Sequence, residues 1–123
     1  MRFPTTLLLL LLVCLAALTL AETDERFCRI RRPKAYGAID TFCRKSRRLI
    51  VPSEYAKVGK KDPGSGLARA WITGNCGGGQ WIPQRFCRSQ FFSMCRGKKQ
   101  SRKYGDRNCQ HWHISYDPLG GAI

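Results

Sequence analysis

The sequence predicts a small α+β domain in which helices pack on a mainly antiparallel sheet. Apolar residues recur at helical spacing in residues 35–46 and 83–96, whereas residues 67–73 and 109–116 alternate between apolar and polar positions as strands do. The predicted order is helix, strand, strand, helix, strand, strand, with short loops and mixed crossovers. This order favours α+β over a parallel α/β fold.

The N-terminal residues 1–21 have the composition of a secretory signal peptide. Arg2 precedes a long apolar run, and Thr19 and Ala21 are small residues placed as a cleavage site requires. The run is short for a membrane span, and no basic cluster adjoins it. We expect a secreted mature chain of residues 22–123, a single domain without a transmembrane segment.

The cysteines predict three disulfides. Cleavage would remove Cys14 and leave six: Cys28, Cys43, Cys76, Cys87, Cys95 and Cys109. An even number in a short secreted chain implies a disulfide framework, but sequence leaves its connectivity open. Cys87 and Cys95 would lie about 12 Å apart along a helix, so each should tie that helix to another element. No C-x2-C pair is present, and we expect no metal.

The chain is strongly basic, with 22 Lys and Arg against 8 Asp and Glu and a net charge of +14. Loss of Arg2 with the signal peptide would leave +13. Such a charge favours anionic partners, which include anionic lipid, nucleic acid, and sulfated or sialylated glycans.

The first half of the mature chain is expected to begin with an extended arm, residues 22–34, pinned by Cys28. A first helix follows in residues 35–46. Residues 48–52 predict a short buried strand ended by a proline, and residues 53–56 a single turn.

A glycine-rich and lysine-rich loop, residues 58–66, leads to the next predicted strand. In that strand one face would carry Ala68, Ala70 and Ile72, and the other Leu67, Arg69, Trp71 and Thr73.

The clearest predicted helix begins at Pro83, which suits a first turn, and ends at Gly97. Its apolar stripe would consist of Phe86, Cys87, Gln90, Phe91, Met94 and Cys95, with Arg85, Arg88, Ser89 and Ser93 facing away. The helix is followed by a basic loop or strand edge, a turn at residues 104–108 and a final strand. In that strand Gln110, Trp112, Ile114 and Tyr116 would oppose Cys109, His111, His113 and Ser115.

Three consecutive glycines, Gly77 to Gly79, raise the question of a phosphate-binding loop. A P-loop needs Lys and a hydroxyl residue next, but Gln80 and Trp81 stand there. The dinucleotide pattern is also missing. We therefore expect a turn in which glycine supplies positive φ, and no cofactor.

The histidines His111 and His113 would share one face of the last strand. A secreted ribonuclease or ribotoxin-like enzyme would use such residues as base and acid, although both would lie on the same side of the substrate. Glu54 could be a partner, with Arg69 or Arg107 stabilising charge. This alternative stays open, but we favour a protein without catalytic residues.

Several stretches carry a resemblance to a known family. They are IDTFC at 39–43, VPSEYA at 51–56, GNC at 74–76, QWIP at 80–83, then FC, QF and MC in the predicted helix, YG at 104–105 and CQHW at 109–112. Their order and spacing resemble small secreted cysteine-rich fungal proteins of the mushroom glycan-binding type, over about residues 35–116.

The resemblance implies a lectin-like α/β/α sandwich around one antiparallel sheet. It also implies glycan binding without catalysis, a defence, effector or antagonistic role, and possible homodimers. The high basicity and the run Gly77 to Gly79 depart from the family pattern and leave the sugar specificity open.

A carbohydrate site needs aromatic faces and a few convergent polar groups. The expected glycan-binding residues are therefore Gln80, Trp81, Tyr104, Asp106, Arg107 and His111. The expected partners are cell-surface glycans or other anionic polymers, with nucleic acid as a less favoured partner. A cationic antimicrobial protein acting on membranes is a further alternative, but no long amphipathic basic helix supports it.

Overall fold

The structure, a computed structural model, describes residues 4–20, 22–44 and 49–117, and of residues 15–20 the backbone alone. The helices are α1 (Thr5–Leu20), α2 (Asp24–Arg31), α3 (Pro33–Phe42), α4 (Glu54–Val58) and α5 (Gln84–Arg96), with a 3-10 turn at Asp106–Asn108. The strands are β1 (Ile50–Val51), β2 (Lys60–Lys61), β3 (Arg69–Gly74), β4 (Gln80–Trp81), β5 (Ser101–Tyr104) and β6 (Gln110–Ser115). Among these helices none has the length and apolar character needed to span a membrane.

The strands form two antiparallel sheets. The larger has four strands in the order β2-β3-β6-β5, and the smaller pairs β1 with β4. Together with the helices and three disulfides, this confirms the predicted α+β fold with a mainly antiparallel sheet.

Helices α2, α3 and α5 pack on one another, and α3 and α5 contact one face of the four-stranded sheet. Phe91 of α5 lies at the centre of this contact. The centroid of its ring is 5.6 Å from that of Phe42 on α3 and 4.6 Å from that of Trp112 on β6. All three side chains are buried. Of the predicted α/β/α layering, the described residues show this one helical layer against the large sheet.

The disulfides join the elements of this layer. Cys28 of α2 forms a disulfide with Cys95, and Cys43 after α3 forms one with Cys87. Both disulfides therefore join a neighbouring element to α5. This confirms that Cys87 and Cys95 bond to other elements rather than to each other. The third bond, Cys76–Cys109, ties the turn after β3 to the start of β6.

The predicted extended arm is wrong, because residues 24–31 form helix α2. Thr23 caps it by accepting a hydrogen bond from the amide of Arg26, and acidic residues occupy the first turn and basic residues the last. Both arrangements stabilise a helix through its end groups and dipole. Few apolar residues mark its buried side, so periodicity did not reveal it.

Three positions on α5 also differ from the prediction. Phe86 is 44% exposed, whereas Phe92 is 2% exposed and stacks on Tyr36. Arg88 does not simply face away. It donates to Asp40 at 2.8 Å and to Glu25, and so joins α5 to α3 and α2. The hydrogen bond from Arg88 is the main cause that lowers the pKa of Asp40 below its usual 3.8.

The glycine run is a turn, as predicted. Gly78 and Gly79 have φ of 81° and 86°, and the amide of Gly79 donates to the carbonyl of Cys76. Strand β3 ends at Gly74, and the short strand β4 separates the turn from helix α5.

Candidate functional site

The four-stranded sheet has one face opposite α3 and α5, and its side chains are partly or fully exposed. Strand register places nine side chains on it, which together are called the open face: Lys61, Arg69, Trp71, Thr73, Ser101, Lys103, His111, His113 and Ser115. The intervening residues Ala70, Ile72, Trp112 and Ile114 point to the helical layer and are buried. Strict alternation along β3 and β6 therefore separates a core face from an exposed face.

The open face consists of three cross-strand rows. The first contains Lys61, Arg69 and Ser115, the second Trp71, His113 and Ser101, and the third Thr73, His111 and Lys103. Residues paired directly across antiparallel strands lie about 4.5–5.5 Å apart, so each row is a continuous line of side chains.

Trp71 and His113 form the centre of the open face. Their rings stack with centroids 5.0 Å apart and an angle of 14° between the planes. The guanidinium of Arg69 lies over the indole, 4.2 Å from its centroid. Arg69 is held there because it also donates to the carbonyls of Val58 and Lys57 at the end of α4.

The imidazole of His113 is held by a hydroxyl. Its Nε2 lies 2.9 Å from Oγ1 of Thr73 on the neighbouring strand. Burial, followed by the nearby His111 and Arg69, lowers the pKa of His113 below its ordinary 6.5. At neutral pH His113 is therefore uncharged, and its Nε2 can accept the Thr73 hydroxyl hydrogen.

The charge of the open face has one sign. It carries Lys61, Arg69 and Lys103, and none of its nine residues is acidic. None of the three cations forms an ion pair with another described residue. The second row continues into a cleft of about 590 Å³ that Trp71, His113, Ser101 and Tyr116 help to line.

Three of the expected glycan-binding residues meet in a different place. Gln80, Asp106 and Arg107 line a cleft of about 410 Å³ beside the Cys76–Cys109 disulfide, called the Gln80 cleft. The Gln80 side chain is engaged internally, because its Oε1 accepts from Nε2 of Gln110 at 2.6 Å and from the amide of Asp106. Gln110 in turn accepts from the indole of buried Trp112.

The other three expected residues do not line the Gln80 cleft. Trp81 follows Gln80 on β4 and is 57% exposed. Tyr104 lies on the core face, where its ring packs edge-on against Trp112. His111 lies on the open face. The expectation of a single site for all six residues is therefore not met.

The residues considered for catalysis are partly brought together. His111 and His113 share one face of the last strand, as predicted from their spacing, and strand pairing places Arg69 on the same open face. Glu54 lies instead in a separate cleft of about 480 Å³, which Thr73 also lines. Arg107 lies in the Gln80 cleft and not on the open face. No cluster of three metal-ligating side chains occurs within the described ranges.

Sequence reasoning placed Arg69, Trp71 and Thr73 on one face of a strand, but did not identify that face as a site. The sequence did not indicate Lys61 or Lys103 as site residues. Lys61 lies on β2, which was predicted to be a loop, and Lys103 lies on β5, which was predicted to be a basic loop or strand edge. Only the pairing of strands distant in sequence brings these residues into rows with the histidines.

Comparison of the chain with known protein families, with curated proteins and with solved structures finds no match. The geometry and the sequence features are therefore the basis for the functional proposal.

Proposed function

We propose that this protein is a secreted carbohydrate-binding protein that binds acidic glycans through the open face. The observation that carries the proposal is the composition of that face: three cations, two imidazoles and an indole, without a carboxylate. The three disulfides fit an extracellular protein, where acidic glycans are accessible partners.

The charges favour a polyanion. Lys61, Arg69 and Lys103 lie on one face, so their fields add over the same surface and attract negative groups. The hydroxyls of Thr73, Ser101 and Ser115 supply hydrogen-bonding groups between the cations. A ligand rich in both hydroxyl and anionic groups matches this pattern.

The aromatic contacts favour a glycan over single-stranded nucleic acid. Proteins that bind single strands stack successive bases on several exposed aromatic rings. Here the open face has one indole, which already stacks on His113 and lies beneath Arg69. The resemblance to mushroom glycan-binding proteins supports the same choice.

The test is binding of the oxidised mature protein to a glycan array at physiological and at high salt. We expect signals for sulfated or sialylated glycans that weaken with salt, because screening reduces attraction between exposed charges. Binding confined to neutral glycans and insensitive to salt would contradict the role of the open face. An array without any signal would contradict glycan binding altogether.

A second candidate function is RNA cleavage by His111 and His113. The observation that favours it is the neutral His113 imidazole beside His111 and Arg69 on an accessible surface. A neutral imidazole could accept the proton of a ribose 2′-hydroxyl as it attacks the phosphate. The leaving oxygen must then receive a proton from a group on the opposite side of the phosphate. His111 and His113 both lie on the same face of β6, which does not favour this arrangement.

Incubation of wild type and of His113→Ala with single-stranded RNA decides this candidate. Cleavage that disappears in the variant would establish the enzyme. RNA left intact by the wild-type protein would exclude it.

A further inference from the structure

The basic side chains of the open face lie along one diagonal of the sheet. Lys61 is in the first row on the edge strand β2, and Lys103 is in the third row on the opposite edge strand β5. Arg69 lies beside Lys61 in the first row, and His111 lies beside Lys103 in the third. These four residues are called the basic diagonal, because together they cross the sheet from one edge to the other.

The residues next to the two lysines show which way the lysines point. On β2, the ammonium group of Lys60 lies 5.5 Å from the centre of the Tyr55 ring, which packs against the core. On β5, Arg102 donates a hydrogen bond to helix α5. Because successive side chains of a strand point to opposite faces, Lys61 and Lys103 project from the open face. Both are exposed.

The length of the basic diagonal follows from sheet geometry. Adjacent strands lie about 4.8 Å apart, so the distance from β2 across to β5 is about 14 Å. The first and third rows are four residues apart on β3, which at about 3.4 Å per residue is also about 14 Å. The backbones of Lys61 and Lys103 are therefore about 20 Å apart. Since screening at physiological salt acts over about 8 Å, a compact anion held by one lysine is almost fully screened from the other.

The other diagonal of the face ends in groups of mixed charge. At one end, Glu54 and Lys57 line the cleft of about 480 Å³ that also contains Thr73. At the other end, Asp117 and Lys98 line the cleft of about 590 Å³ that continues the second row. Each end has a carboxylate and an ammonium group, so the fields of the two partly cancel. An extended polyanion is therefore attracted most strongly along the basic diagonal.

We propose that the open face binds an internal stretch of a linear acidic polysaccharide, which lies along the basic diagonal and carries negative groups on successive sugars. The proposal rests on the proposed function and adds the form of the ligand. Such a chain places one anionic group at Lys61 and another at Lys103, whereas a single terminal acidic sugar reaches only one end. The exposed hydroxyls of Ser101 and Ser115 flank the diagonal and can bond sugar hydroxyls between the anionic groups.

The first test compares a heparin-derived disaccharide with a hexasaccharide by calorimetry, because only the longer chain spans the basic diagonal. We expect wild type to bind the hexasaccharide at least about ten-fold more tightly, since its second contact forms within one complex. In Lys61→Gln/Lys103→Gln the two affinities should lie within about three-fold of each other. The matched control Lys57→Gln/Lys98→Gln loses two cations from the other diagonal and should keep the ten-fold preference of wild type.

Three results would overturn the diagonal while acidic glycans still bind, so that the proposed function survives. The first is a wild-type affinity that does not depend on chain length. The second is a preference for the hexasaccharide that persists in Lys61→Gln/Lys103→Gln, and the third is a preference that both double variants lose equally. If wild type binds neither oligosaccharide, the proposed function and this proposal both fail.

The second test observes the direction of the chain in the wild-type protein and requires no variant to fold. A hexasaccharide with a nitroxide label at its reducing end is added, and the broadening of backbone amide resonances is followed by ¹H–¹⁵N NMR. We expect the strongest broadening at Lys61, at Lys103 or at both, because the label marks an end of the bound chain. Strongest broadening at Lys57 or Lys98, or equal broadening over the whole surface, would overturn the proposal.

Discussion

Trp112 and Trp71 lie on adjacent strands of one sheet but have opposite surroundings. Trp112 is 0% exposed, donates to Gln110 and packs against Phe91 and Tyr104. Trp71 is half-buried and shares its surface with His113 and Arg69. Trp112 pairs with Ile72, the residue that follows Trp71. Because successive side chains of a strand point to opposite faces, Trp112 lies in the core and Trp71 lies in the candidate site.

The two faces also differ in what holds them. The core face is covered by α3 and α5, and two disulfides join α2 and the end of α3 to α5. The open face is held by strand pairing and by a few side-chain contacts, such as Thr73 with His113. We therefore expect substitutions on the core face to reduce stability, and substitutions on the open face to reduce binding.

The largest expected effect is loss of stability in Trp112→Ala. Removing a fully buried tryptophan costs about 3–5 kcal/mol of unfolding free energy, because contacts are lost and a cavity remains. Its indole hydrogen bond to Gln110 would be lost as well. Urea denaturation measures the change. In the matched variant Trp71→Ala we expect a loss below about 1 kcal/mol, and equal losses in the two variants would contradict the separation of faces.

The next effect concerns binding. Trp71→Ala should weaken binding to an acidic glycan by at least about ten-fold, equivalent to about 1.4 kcal/mol, since the central row of the open face loses its ring. Trp81→Ala, in the exposed tryptophan beside the Gln80 cleft, should leave the affinity within about two-fold of wild type. The opposite ranking would identify the Gln80 cleft as the glycan site.

A smaller effect is expected for Arg88, which links three helices of the core face. Arg88→Ala should cost about 1 kcal/mol, the upper range for partly exposed ion pairs. Since the folded pKa of Asp40 is lowered, its contribution is present above pH 3.8 and is lost as the pH falls through the lower folded value. Urea denaturation at several acidic pH values should show this loss in wild type and a smaller one in Arg88→Ala.

Arg44→Ala provides the control for this pair. Arg44 also donates to Asp40 but is 71% exposed, so its removal should have less effect than that of Arg88. If both variants lose the same stability, the position of Arg88 between the helices contributes nothing specific.

The smallest effect is the pH response of His113. Its folded pKa is lowered, so the stability that it contributes is complete above pH 6.5 and is lost as the pH falls through the lower folded value. Melting temperatures between pH 7.5 and 4.5 should therefore decline less in His113→Gln than in wild type. A parallel decline in both proteins would show that this imidazole titrates normally.

Much of the fold follows from sequence patterns within single elements. The alternation in residues 67–73 and 109–116 identified which side chains are buried, and Pro83 and Gly97 bracketed helix α5. Helix α2 could not be found in this way, because its marks are a Thr23 cap, charges suited to the helix ends and a disulfide to α5, and Cys28 is its one buried residue.

The candidate site was less predictable because it depends on strand register. Nothing in the local sequence shows that Lys61 faces Arg69 or that Lys103 faces His111. Gln80 was expected to be a polar group of the site, but its amide oxygen accepts a hydrogen bond from Gln110. Residues from four strands must be paired before the open face exists as a surface.

The central claim is that the open face, not the net charge of the chain, binds acidic glycans. Affinity for a heparin-derived oligosaccharide, measured by calorimetry at physiological salt, compares Lys61→Gln/Lys103→Gln with Arg29→Gln/Arg85→Gln. Each double variant loses two exposed cations, the first from the open face and the second from the helical layer. We predict a loss of at least about ten-fold in the first and less than about two-fold in the second. Equal losses in the two would show that overall charge governs binding and would contradict the claim.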